Sequence, residues 1–460
     1  MKIALVRPNY NSHIITPPLG LGYLSSYLKK YGTDTVMIDG LKENLDFRRM
    51  INKILDLKAD AVAITCLTAF YNQVLSLSRE LKKNKITTII GGPHPTFLPY
   101  QTLVESQADY VVCGEGEIPL LELIRNNFRN DNIPGVYSLE NLKSQRQEII
   151  KARLVENLDE LPFPDWEQMN PQDYPKAPHG AFIRGFPVGV IVTSRGCPYE
   201  CTFCAAPKFC DRKIRFRTPE NVVEEIEYLI KNYQVKEIHF EDDNFTINAD
   251  NVKRLCRLLM EKKININWAC PNGIRADNVS PELIRLMKES GCYYFAYGIE
   301  SANPRILKNI KKRESIDTIA RAIKMADEAG ISTQGFFIFG LPGETASTIE
   351  ENVNFALSSG LSRAQFIILD VLPGSELWDT LEGKFVPNWG KESYLEPEWL
   401  PEGITREQLL TAQSRAFRKF YLRPKIFFRL LKLIDPGQFF HLIKRLKVYR
   451  FFKDEYRGRL

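Results

Sequence analysis

Thr193-Ser-Arg-Gly-Cys197-Pro-Tyr-Glu-Cys201-Thr-Phe-Cys204 lies near the middle of the chain and places three cysteines within eight residues, spaced C-x3-C-x2-C. It follows directly on the apolar run Val188-Gly-Val-Ile-Val192, so a strand end holds a short cysteine-bearing loop. Thiolates are soft ligands suited to iron–sulfur clusters or zinc. Three of them can hold a cubane cluster while leaving one iron open to a substrate or cofactor. A structural zinc knuckle needs a fourth ligand, for which Cys210, six residues on, and His179 upstream are the candidates. Nine cysteines with three gathered at a strand end argue for a reducing cytoplasm and against a disulfide framework.

From 188 to about 375 a strand–helix rhythm continues from this stretch. Strands are expected at 188–193, 237–240, 267–269, 294–298, 333–339 and 365–369. Helices of ten or more residues separate most of them, among them 220–233, 251–262, 281–290 and 316–329. Six repeats predict a partial (β/α)6 barrel with its chemistry at the carboxyl ends of the strands. Polar residues gather at those ends: Glu241-Asp242-Asp243, Tyr297-Gly-Ile-Glu300-Ser301 and Phe339-Gly340-Leu-Pro342-Gly-Glu344. Helix capping would account for one of the three acids at 241–243 but not for all. Arg275 suits a carboxylate ligand through two parallel bonds, or a plain ion pair.

Residues 1–130 repeat the alternation with shorter units. Near-continuous apolar strands at 2–6, 35–38, 61–65, 87–90 and 110–113 separate helices at 21–30, 45–57, 71–83, 100–106 and 118–128. The pattern predicts a doubly wound parallel sheet of Rossmann-like or flavodoxin-like type. Such a sheet binds ligands beyond the carboxyl ends of its strands. Glycine-bearing turns fall at that edge: Pro17-Pro18-Leu-Gly20-Leu-Gly22, Gly91-Gly92-Pro-His94-Pro and Gly114-Glu-Gly-Glu117. There they would let backbone approach a large flat ligand. A proline-rich acidic connector, 131–187, joins the two domains and reads for most of its length as a linker.

The three-cysteine motif with Phe203 before its last cysteine resembles that of the radical S-adenosylmethionine (SAM) enzymes. The turns of residues 1–130 resemble, in order, the cobalamin-binding domain that precedes the radical SAM domain in one large subclass. The resemblance covers roughly residues 1–375. It implies a [4Fe-4S] cluster on Cys197, Cys201 and Cys204, with SAM chelated to the open iron and split to a 5′-deoxyadenosyl radical. It further implies SAM contacts at Glu241, Asp242 and Asp243 (amino group), Glu300 and Ser301 (ribose and carboxylate), and Gly340 and Pro342 (adenine), with Arg275 beside the carboxylate. Pro18, Gly20, Gly91, Gly92 and Gly114 would line cobalamin. The D-x-H-x-x-G motif that gives cobalt an axial histidine elsewhere is missing, so no histidine on cobalt is expected, although His13 and His94 lie nearby in sequence. The activity implied is methyl transfer to an unactivated carbon of a small-molecule or lipid-like substrate. An oxidative cyclase with the same cofactors is the alternative, and a cobalamin or redox sensor without turnover a distant one. An external electron donor of flavodoxin or ferredoxin type goes with this chemistry.

The net charge of +6 is unevenly spread. Residues 415–460 hold fourteen Lys and Arg against three acids, so the rest of the chain is net acidic. No apolar run is long enough to span a bilayer. The segment 376–460 reads as a lid followed by a basic helical tail. Bases interleaved with Phe427, Phe428, Leu430, Leu431, Leu433 and Ile434 suit an interfacial helix on anionic lipid, which would make the protein peripheral on the inner membrane surface. They equally suit a helix packed on the barrel. No recognition module accompanies the charge, so nucleic acid is not an expected partner.

Overall fold

The computed structural model describes residues 1–426 except 13, 131, 146, 177–182, 391–393 and 425. Five apolar strands, β1 (Lys2–Arg7), β2 (Asp34–Asp39), β3 (Ala61–Thr65), β4 (Thr87–Gly91) and β5 (Tyr110–Val112), form a parallel sheet in the order 2-1-3-4-5. A short strand β6 (Val136–Tyr137) adds antiparallel to β5, an element the sequence pattern does not reveal in its two residues. Helices cover both faces. One face buries Ile3, Leu5, Leu21 and Leu28 and the other Val6, Val62, Val74 and Leu81, which is why the strands read as unbroken apolar runs.

The second sheet is wholly parallel: β7 (Val188–Ile191), β10 (Glu237–Phe240), β11 (Asn267–Ile274), β12 (Cys292–Glu300), β13 (Ser332–Phe339) and β14 (Arg363–Ile368), in chain order across the sheet. Between β7 and β10 a two-stranded ribbon, β8 (Ser194–Arg195) with β9 (Arg215–Phe216), closes the neck of the cysteine loop. Edge strands β7 and β14 do not pair with each other among the described residues, so the barrel is open. Helix Arg406–Tyr421 lies along β14, with Phe417 packed on Phe366 at 5.4 Å between ring centroids.

The connector is built into both domains. Asp165 accepts from Ser25 Oγ at 2.6 Å and pairs with Lys29 of the first domain, while the buried Trp166 donates its indole N–H to Glu225 of the barrel at 2.9 Å. Prolines keep this segment extended and aperiodic. Its packing is therefore set by partners far away in sequence.

Candidate functional site

In the order 2-1-3-4-5 the connections reverse between β1 and β3, and a crevice opens there at the carboxyl edge. Ile14 beyond β1 and Leu67 beyond β3 are large apolar side chains left exposed at this edge. Gly20 is the second residue of helix Leu19–Lys30, two beyond the half-buried Pro18, and has nothing within 4 Å of where a Cβ would stand. Gly91 is equally roomy, with Val112 Cβ at 3.8 Å as its nearest neighbour. An apolar, open edge of this kind fits a broad flat cofactor.

Two glycines of the predicted edge have other duties. Gly92 adopts φ +112° and a Cβ there would stand 2.8 Å from the Cys66 carbonyl oxygen. Gly114, at φ +100°, is buried with Ala152 of the connector 3.3 Å from its Cβ position. Both are required by the backbone, and Gly114 is too buried to line the open crevice. His94 is likewise packed inside: its ring stacks on Tyr71 at 3.9 Å, meets Trp389 edge-on, and bonds Thr68 Oγ1 at 3.1 Å. Burial lowers its pKa to about 3, so the ring is neutral. His13 and His179 lie outside the described residues.

Across from this edge stands the cysteine loop. Cys197, Cys201 and Cys204 are partly open to solvent yet crowded by protein, and burial raises all three thiols, Cys204 to about 12. The Cys204 thiol feels the charge of both other cysteines and of Asp243. Among the described residues no three His, Cys, Asp or Glu side chains already close on one metal position, so the case for a cluster rests on the donor set and its loop. Cys210 does not join that set. It is buried beneath the loop, where its sulfur accepts from Arg215 Nη2 at 3.9 Å and burial pushes its thiol up to about 11. Three accessible soft donors without a fourth among the described residues fit a cubane cluster with one open iron better than structural zinc.

The acids at the end of β10 divide. Asp242 is fully buried and accepts from Thr193 N, Thr193 Oγ1 (2.8 Å) and Ser194 Oγ (2.5 Å). It braces the start of the cysteine loop, which corrects the expectation of a ligand contact there. Asp243 is exposed to water while protein surrounds it closely enough to raise its carboxyl, with Asp242 adding to the rise. Glu241 is half-buried at the same strand end.

Of the two readings of Arg275, the structure shows the ion pair. Its Nε and Nη2 donate to Asp277 at 2.9 and 2.7 Å, its Nη1 donates to the Lys312 carbonyl oxygen, and its guanidinium lies 3.8 Å over Tyr199. Tyr199 belongs to the cysteine loop, so Arg275 props that loop from below. Ser301 is fully buried against Asn352 and faces no open space. Glu300 turns at φ +64°, a strained conformation for a residue with a side chain, and pairs with the buried Lys312 at 3.1 Å beside Cys201. Gly340 donates its N–H to the buried Glu344 at 2.5 Å, and Pro342 stays half-buried at the same turn.

Tyr394 joins the two edges. Exposed by area, it is nonetheless enclosed by protein, and burial and the neighbouring Asp370, Cys204 and Tyr10 raise its phenol. Tyr10 belongs to the first domain, so Tyr394 stands between the cysteine loop and that domain. A φ of +63° and bonds to Asp370 Oδ2 (3.2 Å) and Ile368 N (2.8 Å) hold Tyr394 there. Nothing in the sequence around Tyr394 marks it. Ile14 and Leu67 escape notice because their exposure, not their type, is informative.

Comparison with known proteins agrees with this arrangement. The model of the radical SAM superfamily matches residues 191–356, and that of the B12 binding domain matches 11–124. An uncharacterised methyltransferase of Pyrococcus horikoshii is 34% identical over 93% of this chain and 94% of its own length. The anaerobic magnesium-protoporphyrin IX monomethyl ester cyclase of Rubrivivax gelatinosus is 29% identical over 92% of this chain and 78% of its own. Among solved structures, the radical S-adenosylmethionine methyltransferase TsrM from Kitasatospora setae superposes with a TM-score of 0.71 at 17% identity, covering 95% of this chain and 90% of that one. The fold is shared throughout. With two domains that match in order and opposed carboxyl edges, the chain belongs to the cobalamin-binding radical SAM methyltransferase family, an enzyme family whose cofactors are a [4Fe-4S] cluster, SAM and cobalamin.

Proposed function

We propose that this enzyme transfers a methyl group to an unactivated carbon of a small-molecule or lipid-like substrate held between its two domains. The observation that carries the reading is Tyr394, near both Cys204 of the cysteine loop and Tyr10 of the first domain; the substrate recess would lie at this junction. Bound together, the cluster and SAM supply a hydrogen-abstracting radical, and cobalamin supplies the methyl group. The protein supplies position and exclusion of water.

Cys197, Cys201 and Cys204 would hold the cluster. Because burial keeps them as thiols, cluster assembly releases their protons. Asp243, with Glu241 beside it, would receive the SAM ammonium, since an enclosed carboxylate attracts a cation more strongly than one in open water. Gly340 and Pro342 would flank the adenine, and the Glu300–Lys312 pair would border the remainder of SAM. Ile14, Leu67 and Gly20 would seat the cobalamin ring. The cyclase relative of Rubrivivax gelatinosus favours a second reading, ring formation with the same cofactors. An acidic electron donor of flavodoxin or ferredoxin type would reduce the cluster, and the basic tail would bring the recess near a membrane-dissolved substrate.

The anaerobically reconstituted chain, given SAM and reductant, is expected to form 5′-deoxyadenosine. S-adenosylhomocysteine formed beside it supports methyl transfer, and its absence supports cyclisation. Replacing Cys197, Cys201 and Cys204 together by Ala should abolish the cluster's visible absorbance and this turnover. Four irons per chain in that variant would overturn the cluster assignment.

A further inference from the structure

The stretch Gly114-Glu-Gly-Glu117, with its glycines at the carboxyl edge of the first sheet, carries two acids that do not face the crevice. They reach the neck of the cysteine loop instead. In the ribbon β8–β9, Arg195 pairs with Arg215, and both arginines cross to the first domain. Arg215 Nη1 and Nη2 donate to the two oxygens of Glu115 at 2.9 and 2.7 Å. Arg195 Nη2 donates to Glu117 Oε1 at 2.8 Å, and its Nη1 lies 3.4 Å from Glu115 Oε1. The side chains of Glu115 and Arg215 are each 5% exposed, so this is an interior pair. Burial alone would raise the Glu115 carboxyl, but Arg215 and Arg195 outweigh it and hold the group below its ordinary range.

Two further ties complete the neck. Val155 of the connector donates its N–H to Glu115 and accepts from Arg215 Nη1 at 2.6 Å. On the barrel side, Asp242 grips Thr193 and Ser194. Cys197 thus begins two residues beyond a neck anchored in both domains. Apolar packing would join two domains with less desolvation cost than four buried charges. What bidentate charge pairs add over apolar packing is directional geometry.

We propose that Glu115 and Glu117 are positioning residues for the cluster: through Arg215 and Arg195 they fix the cysteine loop against the carboxyl edge of the first sheet and so set the separation between cluster and cobalt. The inference rests on the cofactor reading above. Its test uses the full chain, reconstituted with iron and sulfide, loaded with hydroxocobalamin and reduced until both the cluster and Co(II) are paramagnetic. Pulsed electron paramagnetic resonance then reads their spin–spin interaction. The wild type is expected to give one narrow distribution of distances. Glu115→Gln, and more mildly Glu117→Gln should the first not fold, should broaden it at unchanged iron content. The same narrow distribution in a folded variant, with only its melting temperature lowered, would mean that the acids merely stabilise the interface and would overturn the proposal. A wild-type chain that binds no cobalamin or cluster would instead remove the cofactor reading itself, and this inference with it.

Discussion

Glu344 is a single carboxyl on which the turn after β13 depends. One oxygen accepts from the N–H groups of Gly340 and Leu341, and the other from Asn352 Nδ2. Asn352 in turn holds Ser301 and the Ala302 N–H, so Glu344 links the ends of β12 and β13. Burial raises its pKa from 4.5 to about 8 against the pull of those donors. The folded state therefore keeps a proton that the unfolded chain has lost. The stability this contributes is complete below about pH 4.5 and is lost as pH rises towards about 8. In Glu344→Gln the group cannot ionise. The melting temperature of the wild type should fall relative to that variant between pH 5 and 8, by an amount on the order of a few kcal/mol in stability. A difference that stays constant across this range would show that Glu344 does not titrate there.

Helix Arg406–Tyr421 decides where the barrel ends. A capping box of Thr405 and Gln408 starts it, and it buries Leu409, Ala416, Phe417 and Phe420. Gln413 Nε2 and Tyr421 Oη donate to the Phe366 and Ala364 carbonyl oxygens of edge strand β14, at 2.8 and 2.7 Å. The exposed edge of β14 is thereby covered. Its bases are engaged as well: Arg415 and Lys419 pair with Glu350, and Arg423 Nη1 donates to the Leu357 carbonyl oxygen at 2.6 Å. Residues 427–460, which carry most of the tail's charge, lie outside the described residues. A truncation meant to test the tail must therefore end after Ile426, because losing a buried Phe costs about 3–5 kcal/mol. The full chain should float with vesicles containing anionic lipid, and the chain ending at Ile426 should not. Equal behaviour of the two would remove the membrane contact. Among the described residues no helix is long and apolar enough to cross a membrane.

At the scale of the whole molecule, the connector and the Glu115–Arg215 neck tie the barrel to the carboxyl edge of the first sheet. Of the histidines near that edge, His94 is enclosed by Tyr71 and Trp389 and neutral. Electron paramagnetic resonance of the Co(II) protein should accordingly lack splitting from an axial nitrogen. Splitting that appears in the wild type and disappears in His13→Ala or in His94→Ala would place that ring on cobalt and overturn the reading.

Much of the architecture was legible in the residues themselves. Strands Ala61–Thr65 and Glu237–Phe240 and helix Tyr71–Lys83 begin and end where apolar continuity and helical spacing predict, because burial on both faces of a parallel sheet leaves a local trace. The three cysteines announce a metal centre for the same reason: their donors are close in sequence. Charged and polar residues leave no such trace. Asp242 and Ser301 look like ligands by their place at strand ends, yet they bond to Thr193 and Asn352, and which acid Arg275 would pair with was not readable either. Glu115 finds Arg215 one hundred residues away. Tyr394 comes near both Cys204 and Tyr10 only because two domains meet there. Periodicity records which face of an element is buried. Which partner a buried charge meets is a property of long-range packing, and only the tertiary structure decided it.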